Sequence, residues 1–219
     1  MVRTSVQQDQ DDAPLSPAES LQLIAEQESV VAQRLWPNVT WFYGPWGLAY
    51  LLGFGAVYLS YPTWLPFEIP DVAASITCSV LFTAAIASSL VTGARINRGV
   101  EGPSRRVGAM HGWSYLIAFA SLSAINAGLL HAGLPADTAT LLWSGTTPML
   151  VGVLYLAGGA LWQDRFQYGL GVWMCLTGTA GVFAGVPENF AVLSLAGGGG
   201  LLLAAAYFGL SRRRAASGT

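Results

Sequence analysis

Residues 138–211 decide the fold. They read TATLLWSGTTPMLVGVLYLAGGALWQ, then Asp164-Arg165, then FQYGLGVWMCLTGTAGVFAGVP, then Glu188, then NFAVLSLAGGGGLLLAAAYFGLS. Three charged residues separate three apolar runs. Each run exceeds the roughly 20 residues a helix needs to cross the hydrocarbon core of a bilayer.

The pattern extends upstream. Charge-free windows cover 35–67, 72–94 and 107–136, and with 138–163, 166–187 and 189–211 they make six, each at least 22 residues long. The chain is 53% hydrophobic and only 10% charged, with a mean hydropathy of +0.49. A soluble domain carries roughly 25% charged residues, so this one lacks the charge to cover a water-facing surface. Lipid solvates the apolar outside of a helix bundle instead. The expected fold is an all-α membrane protein, a six-transmembrane-helix bundle preceded by a cytoplasmic amphipathic helix. The spans are placed near 42–61, 72–94, 109–131, 138–162, 167–186 and 189–210. The expected divisions are an acidic tail (1–16), an amphipathic helix (17–36), the membrane domain (42–210) and a basic tail (211–219).

Arginine placement sets the orientation. The ten basic residues are all arginine, and with the N-terminus inside they fall in the tail, in 95–106, in 163–166 and at the C-terminus. The opposite loops hold Glu68, Asp71, Asp137 and Glu188 and no basic residue. Basic loops resist translocation, so both termini are expected in the cytoplasm and the protein in the plasma membrane. The acidic start MVRTSVQQDQDD does not read as a cleavable signal peptide. Trp41, Tyr43, Trp46, Tyr61, Trp64, Trp113, Trp162, Tyr168 and Trp173 lie near span ends and read as an interfacial aromatic belt. No basic run interleaves with aromatics as a nucleic-acid groove needs, so no nucleic acid is expected.

Ser16-Pro17-Ala18-Glu19 is a helix start: a serine cap, proline at the first helical position and a glutamate placed to close a capping box. The helix is expected to end near Leu35, before Pro37. Its polar stripe (Glu19, Gln22, Glu26, Ser29, Gln33) is acidic, so it is unsuited to anionic lipid. It either lies along the protein or docks a cytosolic protein through residues 17–36.

The three expected hairpins share a layout. Each has an inner Gly and Trp (Gly44/Trp46, Gly112/Trp113, Gly171/Trp173), an outer proline (Pro62, Pro135, Pro187) and a returning arginine (Arg95, Arg165, Arg212). Three tandem hairpins are therefore a candidate architecture. Gly197–Gly200, Gly108/Gly112 and Gly181/Gly185 read as points of close helix approach.

Chemistry-bearing residues are few. No acidic or basic residue falls near the middle of an expected span. That argues against ion coupling and against an intramembrane enzyme, since general acid–base work needs such a group. Cys78 and Cys175 lie in separate apolar spans and read as packing residues; no metal site or cofactor is expected. His111 and His131 stand at opposite ends of the third span, roughly 30 Å apart, too far to share a metal. Interfacial histidine is the plain reading and pH sensing the alternative. One constellation stands out. Asn126 is the strongly polar amide inside a span, with Ser123 and Phe119 on its face. The fourth span carries Ser144-Gly145-Thr146-Thr147-Pro148 at about the same depth. Pro148 lacks an N–H and is expected to kink its helix and free a carbonyl one turn earlier. Asn126, Ser123, Ser144, Thr146, Thr147 and Pro148 thus form a candidate substrate pocket. The plainer reading makes Asn126 an interhelical hydrogen bonder and Pro148 only a kink.

SPAESLQLIAEQ (16–27), YGPWGLAYLLGFG (43–55), VLYLAGGALWQDR (153–165) and the glycine-rich last span resemble an uncharacterised family of bacterial six-helix integral membrane proteins, often labelled only "transporter". The layout also resembles bacterial acid-resistance membrane proteins in architecture. The resemblance implies a small transporter or permease-like protein, with a homo-oligomer as one working form, and the missing intramembrane charge favours a neutral or apolar small molecule. The alternative is a non-transporting membrane stress sensor or scaffold that docks a cytosolic partner through its N-terminal helix.

Overall fold

The structure, a computed structural model, describes residues 16–62, 68–96 and 103–217. Among the described residues there are helices and turns and no strand. Helix α1 (Pro17–Leu48) passes through a π-helical stretch (Ala49–Phe54) into the short α2 (Gly55–Tyr58). Helices α3 (Asp71–Ile96), α4 (Pro103–His131), α5 (Ala136–Trp162) and α6 (Arg165–Ala184) follow. The last rod begins as α7 (Glu188–Val192), widens into a second π-helical stretch (Leu193–Gly198) and continues as α8 (Gly199–Ser217).

Among the described residues, four segments are long and apolar enough to cross a membrane: Asp71–Arg95, Arg105–His131, Ala136–Trp162 and Glu188–Ser211. The expected spans 42–61 and 167–186 are largely helical but are not among them. Their composition is the reason. Tyr43, Trp46, Tyr50, Tyr58 and Tyr61 lower the hydropathy of the first; Gln167, Tyr168, two threonines and five glycines lower that of the second.

The chain divides into two compact units, Met1–Pro37 and Asn38–Thr219. In the first, the capping box forms as the sequence dictates. The Ser16 backbone N–H donates to Glu19 Oε2 at 2.8 Å, and the Glu19 N–H donates to Ser16 Oγ at 3.3 Å. The expected stop before Pro37 does not occur: α1 runs on to Leu48. A proline inside a helix removes one backbone hydrogen bond, and the helix continues past that single loss. The acidic tail before Ser16 and Trp64 of the aromatic belt lie outside the described residues.

In the second unit, α5 and α6 form the tightest antiparallel pair. Their turn is built by Gln163, in the left-handed region at φ 56°, and by Asp164. The Asp164 Oδ1 accepts the N–H groups of Phe166 and Gln167 at 2.9 and 3.1 Å. Glycine sets the closeness. A Cβ on Gly152 would sit 2.7 Å from the Gly171 carbonyl oxygen, and one on Gly171 would sit 2.8 Å from that of Gly152.

The two π-helical stretches lie against each other. A Cβ on Gly198 would meet the Leu51 backbone nitrogen at 2.6 Å, and one on Gly197 the Tyr50 ring at 2.8 Å. The Leu51 and Ala196 carbonyls accept the backbone N–H groups of Gly55 and Gly199, and side chains from facing segments add a second donor to each. Ser194 Oγ donates to the Leu51 carbonyl at 2.7 Å, and Trp173 Nε1 donates to that of Ala196 at 2.9 Å. Around this junction lies the core of Tyr43, Tyr50, Tyr155, Leu170, Met174, Leu193 and Leu201. Tyr43 therefore departs from the expected belt. Its ring is buried, edge-on to Tyr155 and stacked on Phe208. Trp41, Trp113, Trp162, Tyr168 and Trp173 are exposed.

Helix α3 is tied to α1 by Trp46 Nε1 donating to Ser89 Oγ at 2.8 Å and by Ser88 Oγ donating to the Trp41 carbonyl at 3.2 Å. Phe82 of α3 also packs on Trp46, Tyr50 and Phe54, yet most of the surface of α3 and α4 faces outward: only 11% and 6% of their apolar windows are buried. Apolar on nearly every side, they suit contact with lipid or a second copy of the chain. Gly108 and Gly112 are expected at a close helix approach, yet a Cβ added to either would meet no atom within 4 Å. The same holds for Gly185. A small residue permits close approach without causing it, and α4 brings no partner to those positions within the single chain.

Candidate functional site

Asn126 of α4, Ser144 of α5 and Asn189 of α7 are buried polar residues. The packing of α4 on α5 relates the depths of the first two. The His111 ring meets the Trp162 ring edge-on at 4.8 Å and lies over Gly158. Antiparallel helices share one rise per residue. Moving from residue 111 to 126 along α4 therefore corresponds to moving from 158–162 to about 143–147 along α5. On this count of rise alone, Asn126 falls at about the depth of Ser144, Thr146 and Thr147.

Each of these side chains has a defined partner or a defined lack of one. Asn126 is buried, and its Nδ2 donates to the Leu122 carbonyl of its own helix at 2.9 Å. The hydrogen bond to a neighbouring helix, expected in the plainer reading, is not the one made. Ser123 is exposed and donates to the Phe119 carbonyl at 2.8 Å, so it faces away from the layer. Thr146 donates to the Leu142 carbonyl one turn back. Pro148 is fully buried inside a continuous α5; having no N–H, it leaves the Ser144 carbonyl without its usual donor.

Asn189 is the residue that sequence reasoning misses. It is wholly buried on α7, and its Nδ2 donates to Ser144 Oγ at 2.9 Å. Ser144 in turn donates to the Leu141 carbonyl at 3.3 Å. Directly after Pro187-Glu188, Asn189 reads in sequence as part of a helix start at the membrane surface. Nothing local signals that α7 tucks beneath the end of α6, where Gly181 leaves room for it: a Cβ there would lie 3.8 Å from the Asn189 carbonyl oxygen.

Three buried side-chain oxygens in this region have no hydrogen-bond partner: Asn126 Oδ1, Thr147 Oγ1 and Asn189 Oδ1. Buried polar atoms are nearly always satisfied, and one left bare in an apolar bundle is costly. Two amide oxygens can each accept, and a threonine hydroxyl can donate or accept. The layer offers neutral hydrogen bonding and no charge.

The remaining candidates do not join this layer. His111 is half-buried among Tyr115 and Trp162 at the far end of α4, and His131 is exposed at the near end. Cys78 and Cys175 are free thiols, and the Cys175 Sγ lies 3.7 Å from the Met149 carbonyl oxygen. Among the described residues no group of three His, Cys, Asp or Glu side chains is placed to hold a metal ion. No protein-family model, no curated protein and no solved structure matches the chain.

Proposed function

We propose that the chain is a six-span plasma-membrane protein with cytoplasmic termini that moves a neutral, hydrogen-bonding small molecule across the bilayer. Four long apolar helices support membrane residence. In this reading, the helical segments 42–61 and 167–186 supply the other two spans. The arginine asymmetry supports the orientation. The resemblance to a six-helix bacterial family belongs to the same proposal.

The observation that carries transport is the set of unpaired buried oxygens on Asn126, Thr147 and Asn189. A bundle evolved only for packing would fill these positions with apolar side chains or pair them. A solute bearing hydroxyl or amide groups would satisfy them in turn. Without a carboxylate or a basic group in the layer, a neutral solute fits better than an ion.

A thermal-shift screen of the detergent-purified protein tests this, with Asn126→Ala and Asn189→Ala alongside. The panel spans polyols, urea and other amides, and hydrophobic antibiotics. A solute that stabilises the wild type and neither variant supports the reading. Equal responses in all three proteins sink it.

A second reading rests on the N-terminal unit. Its helix start is fixed by the capping box, and Leu21 and Leu23 are exposed, as a helix that docks a cytosolic protein requires. Deleting residues 1–36 tests it: loss of a co-purifying cytosolic protein with membrane insertion intact supports docking.

A further inference from the structure

A second site lies at the opposite end of the bundle from the polar layer's outer loops. A groove of about 320 Å³ is lined by Trp41 of α1 and by Ala87, Ser88, Val91, Thr92 and Arg95 of α3. That volume is at the lower end of the roughly 300–1,000 Å³ of small-ligand sites. Residues 88, 91, 92 and 95 share one face of α3, because helical side chains align at i, i+3, i+4 and i+7.

The lining divides by chemistry. Arg95, exposed in the last turn of α3, presents a guanidinium fork whose geometry matches a phosphate. Thr92, buried at 6% exposure, lies one turn behind it. The exposed Trp41 indole forms the opposite wall, and such rings favour the headgroup level of a bilayer. Ala87 and Val91 continue the groove as apolar surface, and Ile86 and Leu90 lie exposed beside it. A cation at the mouth, a hydroxyl behind it and an apolar run leading along a membrane helix form a sequence of surfaces. It matches an anionic phosphate attached to an acyl chain. The acidic stripe of the N-terminal helix argues against lipid binding there; here the basic segment that starts at Arg95 reverses the sign.

We infer that this groove binds one anionic phospholipid, its phosphodiester on Arg95 and Thr92 and its chains along α3. The inference rests on membrane residence and is independent of transport.

The test uses the purified full chain in mild detergent, with native mass spectrometry counting retained lipid. Phosphatidylglycerol and phosphatidylcholine with identical chains are the probes. The wild type should retain phosphatidylglycerol preferentially. Arg95→Gln should weaken that retention about fivefold, the factor for one arginine at an anionic surface, and Thr92→Val should weaken it to a smaller degree. Arg165→Gln, an exposed arginine outside the groove, should leave retention unchanged. Equal losses in Arg95→Gln and Arg165→Gln would mean general surface charge and overturn the site. Equal retention of the two lipids would overturn it as well. Displacement by excess inorganic phosphate would identify a free-phosphate site and also overturn it. A chain that remains soluble and monodisperse without detergent would instead refute membrane residence, an outcome separate from any lipid ratio.

Discussion

Asn189 and Ser144 show why single residues in this protein have unequal roles. The amide N–H groups of Asn189 need Ser144 Oγ, whereas Ser144 retains a bond to the Leu141 carbonyl without Asn189. Ser144→Ala should therefore leave a buried donor unpaired and destabilise the protein by about 1–3 kcal/mol. Asn189→Leu removes donor and bare acceptor together and should cost less, within about 1 kcal/mol of the wild type, in line with the modest worth of interhelical bonds. Thermal melts in detergent measure both. Asn126, Ser144 and Thr147 can be assigned a common depth in the sequence, since depth follows from counting residues. Which way each side chain faces is not legible, so Ser123 falls in with residues from which the fold separates it, and Asn189 goes unnoticed. Glu19 is a simpler case, because a capping box is local and its four-residue spacing is enough to read it. The Ser16 N–H and hydroxyl hold the Glu19 carboxyl below the usual carboxylate range. A depressed acid stabilises the folded form above its unfolded pKa, and that contribution is lost as pH falls through the folded value. The protection of the first-turn amides of α1, their exchange rate divided into that of the free chain at the same pH, should thus hold steady near neutral pH and fall below about pH 4, and Glu19→Ala should abolish that step.

Among the helices, the glycine run 197–200 separates what composition tells from what contact decides. All four read alike in sequence, as an opportunity for close approach. In the fold, a Cβ on Gly198 would strike the Leu51 backbone at 2.6 Å, while one on Gly199 meets nothing within 4 Å. Gly198→Ala should push the two π-helical stretches apart and destabilise by about 1–3 kcal/mol. Gly199→Ala should be neutral or stabilise by up to about 1 kcal/mol through helix propensity. Paired melting curves check the contrast, and equal effects would refute the packing of the two stretches. The π-helical stretches themselves are not legible in the sequence, because their contacts, Ser194 on the Leu51 carbonyl and Trp173 on that of Ala196, come from segments distant in the chain. The long apolar helices are legible, because bilayer thickness dictates their length and excludes charge. Pro37 misleads, because a local breaker lowers helix stability through a lost hydrogen bond and a crowded preceding turn without fixing where the helix ends.

Across the assembled protein, the asymmetric arginines predict sidedness. In a background with Cys78 and Cys175 replaced by alanine, an impermeant maleimide should label Asp137→Cys on intact cells and Arg165→Cys only after permeabilisation. The reverse pattern would invert the topology. Composition makes membrane residence legible, but the proposed function rests on where neutral polar atoms lie, and that is a property of the packed helices. Everything proposed for transport turns on the unpaired layer of Asn126, Thr147 and Asn189 carrying a neutral solute. The decisive experiment is stopped-flow light scattering of proteoliposomes, challenged in turn with glycerol, urea and larger polyols. At least one solute should enter faster than in protein-free liposomes, and Asn189→Leu should return its entry to the protein-free rate while remaining folded. Entry at the protein-free rate for every solute, or an equal acceleration by wild type and Asn189→Leu, would contradict a solute-carrying layer.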